Sequence, residues 1–155
     1  MDGLKLQKQD QDLFYVTFGM ECLDAILHNF ENRIWAEKEI AHNGLEFTSS
    51  FGKGMGFETI NDSVLRLAQK MGYVVVVRKD PRKGYARIKA RPPKERGDKS
   101  IDLTLAYEKL KKMDPEATWY LHVSKRMLLN GTTKNPDMRP TTLTLGEIIY
   151  VLKGL

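Results

Sequence analysis

The stretch 73-YVVVVRKDPRKGYARIKARP-92 decides how this chain is read. Four consecutive valines make a run suited to a strand buried on both faces. The segment "DPRKG" follows, with Pro in the second place and Gly in the last, as a tight turn requires. "YARIKAR" then alternates strictly, so Ala86, Ile88 and Ala90 face one side while Tyr85, Arg87, Lys89 and Arg91 face the other. Two strands joined by such a turn make an antiparallel hairpin.

Outward from this hairpin, strands and helices are interspersed. Residues 13–18, "LFYVTF", are aromatic and β-branched and predict a short strand. From Met20 to about Ala41, Leu23, Ile26, Leu27, Phe30, Ile34 and Ala41 recur at helical spacing, with Asn43-Gly44 as a stop. The glycine-rich "SSFGKGMGFET" reads as a loop. Val64, Leu65, Ala68 and Met71 outline a second helix, capped by Thr59 or Asn61 and ended by Gly72. Beyond the hairpin, "PPKERGDKS" is an exposed loop and Ile101–Met113 a helix broken by Asp114-Pro115. Thr118–Val123 and Met127–Leu129 form a second hairpin around Ser124–Arg126. In the last helix, Thr144 and Glu147 make a capping box ahead of Ile148, Ile149, Val151 and Leu152. The expectation is an α+β fold in one domain, residues 1–155, with a single mixed sheet built from antiparallel hairpins and covered by helices.

The chain has 155 residues and a net charge of +5, unevenly spread. Residues 1–60 hold five Lys/Arg against ten Asp/Glu, whereas residues 78–99 hold ten against three. A localised basic segment points to an anionic partner more directly than the overall charge does. The single cysteine, Cys22, excludes an intramolecular disulfide and fits a reducing compartment; it lies in a helical apolar stripe, which predicts a core position rather than a nucleophile. "MDGLKLQKQDQD" has no apolar core, and no apolar run approaches membrane-spanning length. These features predict a cytoplasmic protein with no membrane contact.

Candidate chemistry is sparse. His28, His42 and His122 form no metal-ligand spacing, and no Walker loop or Gly-x-Ser-x-Gly occurs, so neither a metal nor a cofactor is expected. Gly52, Lys53 and Gly54 offer either a phosphate-approaching loop or a tight turn. Residues on one face of a strand are about 6.6–7 Å apart, close to adjacent phosphates on an extended single strand. Arg87, Lys89 and Arg91 therefore form either a row that tracks a phosphate backbone or a charged, aggregation-resistant strand face. The row continues in sequence to Lys94 and Arg96, and Tyr85 adds a stacking surface. His122 shares a face with Tyr120, and Lys125 lies in the turn beyond.

The run "GYARIKARP", a loop, and then "IDLTLAYEKLKKMDPEATWYLH" resemble the carboxy-terminal, DHH-associated domain of the DHH phosphoesterases, over residues 60–131. In that family a strand ending in a substrate-gripping arginine leads through a helix to a glycine-rich segment closing on a histidine. The resemblance matches Arg91 to the arginine and His122 to the histidine, which implies that both contact a phosphate or a terminal nucleotide. "ATWYL" stands where the family has its glycine run, and the Asp-His-His metal motif of the catalytic half is absent from the chain. The resemblance thus implies a substrate-binding part, with single-stranded nucleic acid or a nucleotide as ligand and a separate catalytic subunit as a possible partner. Two alternatives are a protein-interaction domain whose basic hairpin meets an acidic surface, and a stand-alone phosphohydrolase using His122.

Overall fold

The hairpin forms as its sequence dictates. Val75–Lys79 (β3) and Ala86–Ala90 (β4) pair antiparallel, with Val77 opposite Ile88 and Arg78 opposite Arg87. Asp80 organises the turn: its Oδ1 accepts the amides of Arg82 and Lys83, and its carbonyl accepts that of Gly84 at a φ of 70°. The computed structural model describes residues 2–93, 100–132, 134–135 and 137–155, with side chains from residue 7 onward.

Around this hairpin lies a six-stranded sheet. Its other strands are Leu45–Ser49 (β1), Gly52–Glu58 (β2), Trp119–Leu121 (β5) and Met127–Asn130 (β6), and the order is β1-β2-β3-β4-β6-β5. Only β2 and β3 pair in parallel. The helix Ser63–Lys70 (α2) makes that crossover, as parallel neighbours require. The architecture is α+β with one mixed, mostly antiparallel sheet.

The helices Thr104–Met113 (α3) and Leu145–Lys153 (α4) cover one face. Leu103 just before the first, Ala106 and Leu110 within it, and Leu145, Ile148 and Leu152 of the second, close on Val75, Val77, Ile88 and Leu128. The Thr144–Glu147 capping box starts α4 as expected. On the opposite face, Val64, Leu65 and Ala68 of α2 pack with Met55, Phe57 and Val76. Asn130, fully buried, ties the chain after β6 to the sheet: its Nδ2 donates to the carbonyls of Thr118 and Arg139, and its Oδ1 accepts the Thr141 amide.

Three expectations are corrected. Residues 13–18 are helical, inside a single helix Asp2–Asn43 (α1), because Leu13 and Val16 extend the three- and four-residue apolar steps of Met20, Leu23 and Leu27. Cys22 is exposed, not core, because this length of α1 has no buried side: Leu23, Ile26 and Leu27 beside it are exposed as well. "SSFGKGMGFET" is not a loop but the β1–β2 turn and strand β2. Its glycines answer to packing: a Cβ on Gly54 would meet the Phe47 ring at 2.3 Å, and one on Gly56 would meet Ile149 at 2.7 Å.

The chain divides into two compact units, Met1–Trp35 and Ala36–Leu155. The first is helical throughout its described length; the second holds the sheet and the remaining helices. No helix among the described residues is long and apolar enough to cross a membrane.

Candidate nucleic-acid interface

Strand β4 separates its side chains as the alternation demands. Ala86, Ile88 and Ala90 are buried beneath α3 and α4, while Arg87 and Lys89 stand half-buried on the other side. Tyr85 and Arg91 continue that row at either end by the same two-residue period. Lys89 lies opposite Met127 and Arg87 opposite Leu129 on β6. Leu129 in turn lies opposite Tyr120 on β5. The amide of His122, one residue past β5, donates to the carbonyl of Met127 at 2.9 Å, so His122 follows Tyr120 onto this face. His122 and Lys89 thus flank β6, two strand spacings or about 10 Å apart.

Within this unit, α2 shields only the part of the face over β2 and β3, where its core partners lie. Over β4, β6 and β5, the residues Lys89, Arg91, His122, Met127 and Leu129 remain half-buried and Tyr120 is 47% exposed. The result is an open platform with cations along β4, apolar side chains in the middle and an aromatic ring on β5. Along its α2 side run Asp62, Arg66 and Gln69, which share one helical stripe; Gln69 donates to the Lys89 carbonyl at 3.1 Å.

The cations differ in how far they are committed. Arg78, buried and opposite Arg87, sits 2.7 Å from Asp62 and donates to the Thr59 carbonyl at 3.1 Å. Burial pushes its guanidinium below the ordinary arginine value, with Asp62 opposing that shift and Arg87 adding to it. Asp62 also accepts from Arg87 at 3.0 Å, so one carboxylate bridges two facing arginines. Lys89 and Arg91 form no ion pair with any described residue.

His122 is held in one orientation. The Ser124 amide donates to its Nδ1 at 3.2 Å, and Ser124 Oγ lies 2.9 Å from the same nitrogen. An Nδ1 that accepts a backbone N–H places the proton of the neutral ring on Nε2, which becomes a fixed donor.

Not every residue singled out in the sequence joins the platform. Tyr85 lies against Gly131, whose φ is 76° and where a Cβ would clash with the ring, so one side of it is already occupied. Lys125, at a φ of 56° in the β5–β6 turn, pairs with Asp102 at 3.3 Å. Gly52, Lys53 and Gly54 belong to β2, on the far side of β3 from β4, and Lys53 pairs there with Glu46 at 3.4 Å. Lys94 and Arg96 lie outside the described residues. Sequence reading missed Asp62, Arg66 and Gln69; their helical spacing is visible, but that the stripe borders β4 is set by the crossover. No group of three or more His, Cys, Asp or Glu able to hold a metal occurs among the described residues. No family model, curated protein or solved structure matches the chain.

Proposed function

We propose that the open face of β4, β6 and β5 binds single-stranded nucleic acid or a nucleotide, as the substrate-binding part of a DHH-type phosphoesterase does. Hydrolysis would then fall to a separate catalytic partner. The observation that carries this reading is the convergence on one face of two cations that form no ion pair with a described residue (Lys89 and Arg91), an exposed aromatic ring (Tyr120) and a histidine whose Nδ1 is held by Ser124 (His122). Phosphates would follow the β4 row, a base would stack on Tyr120, and His122 Nε2 would donate to a terminal phosphate oxygen.

Salt dependence tests it. Each phosphate neutralised on a single strand contributes about −0.7 to the slope of log affinity against log salt, so Lys89 and Arg91 together give about −1.4, and Arg87, held by Asp62, would bring the row to about −2 only once released. Replacing all three by Gln should remove most of that slope for a labelled oligonucleotide. Unchanged salt dependence in the triple variant, or no binding by the wild type at low salt, would sink the proposal; the second result would favour an acidic protein surface as partner.

A further inference from the structure

Seven apolar residues of α1 are spaced three, four, three, four, three and four apart: Leu13, Val16, Met20, Leu23, Leu27, Phe30 and Ile34. Every one is exposed, at 54–65% of its full area. Alternating three- and four-residue steps average 3.5 residues, the period of a left-handed coiled-coil seam rather than the 3.6 of a straight helix on a core. The pattern runs through 22 residues without a proline or a polar seam position. Leu13, Met20, Leu27 and Ile34 fall at one heptad position, and Val16, Leu23 and Phe30 at the other.

We propose that residues 13–34 pair with the same segment of a second copy of this chain. A seam free of charged and polar residues is complementary to itself, because each apolar layer finds an equivalent layer on an identical helix. The area is sufficient. On pairing, each seam residue takes about 60–120 Å² out of water. Seven residues on each of two helices then bury about 800–1,700 Å², which overlaps the roughly 1,200–2,000 Å² of stable protein pairs. Phe14, Tyr15 and Phe18 stand off the seam; the Phe14 and Phe18 rings stack at 6.4 Å, and Tyr15 meets Phe14 edge-on at 5.8 Å. The pairing is independent of what the sheet binds.

Light scattering of the intact chain at micromolar concentration tests it. The expected mass is twice the 17.8 kDa of one chain. Leu23→Glu with Leu27→Glu should halve it, since both charges would enter the seam. Cys22→Glu with Ala25→Glu, which places the same charges off the seam, should leave it doubled. Hydrogen exchange of the β3 and β4 amides reports whether the sheet stays folded; if the Glu pair disturbs it, Leu23→Ala with Leu27→Ala serves instead, and the same halving is expected. A wild type at the mass of one chain overturns the proposal. So does a folded seam variant that remains paired, an off-seam variant that dissociates, or a wild-type mass of three or more chains.

Discussion

The two faces of the sheet use the same strands for opposite ends. On the face beneath α3 and α4, β4 contributes Ala86, Ile88 and Ala90 to a continuous apolar core with Val75, Val77 and Leu128. On the other, the same five residues contribute Arg87 and Lys89, and among the described residues of this unit the helical core contacts lie over β2 and β3. The boundary falls at Arg78 and Arg87, which lie opposite each other and share Asp62. Stability therefore resides mainly in the closed face, and the open face is available to carry charge that a core could not hold.

If that division is right, substitutions on the closed face should cost most. Ile88→Ala removes a fully buried side chain from the centre of the sheet and should destabilise by about 2–5 kcal/mol, the usual range for such a cavity. Chemical denaturation measures it, and a cost below about 1 kcal/mol would mean that the face is loosely packed.

Next in size is Asp114, a buried carboxylate that accepts from Thr141 Oγ1 at 2.7 Å and from the Thr142 amide at 2.8 Å. Burial by itself would raise its pKa, but the hydrogen bonds from Thr141, Thr142 and the Ala117 amide together outweigh burial and hold the carboxyl below its ordinary value. A depressed carboxyl stabilises fully above the unfolded pKa, about 3.9, and that stabilisation is lost as pH falls through the folded value. Asp114→Asn should cost about 2–3 kcal/mol at neutral pH, and the gap from wild type should close as acid is added. A gap that stays constant down to low pH would show that the charge is immaterial.

How much of this was legible depended on the range of the interactions involved. The β3–β4 hairpin could be read because alternation and turn chemistry are local, and the same holds for the Thr144–Glu147 box. β2 was misread because its glycines make room for Phe47 and Ile149, side chains that reach it only in the folded sheet. Residues 13–18 were misread because β propensity describes a fit to a pleated surface, and here no partner strand provides one. The face shared by Arg87, Lys89 and His122 was half legible. Parity put Tyr120 with His122 and Arg87 with Lys89, but only the insertion of β6 between β4 and β5 puts both pairs on one platform.

Asp62 gives the finest test of the division, because its two partners belong to different sides of it. Arg78 is buried and is part of the structure; Arg87 is more accessible and belongs to the proposed ligand row. An exposed ion pair is worth about 0–1 kcal/mol, whereas stripping a partner from a buried charge costs more. Arg78 retains the Thr59 carbonyl and, at 4.0 Å, Asp80, so Asp62→Asn should destabilise by only about 1–2 kcal/mol. Arg87 would meanwhile lose its carboxylate and become as free as Lys89. Oligonucleotide affinity at low salt should rise, and the salt slope should steepen by about 0.7, the contribution of one more phosphate. Stability and affinity would then move in opposite directions from one substitution. If denaturation shows the loss while the salt slope is unchanged, Arg87 belongs with Arg78 to the structure, and the ligand row shortens to Lys89 and Arg91.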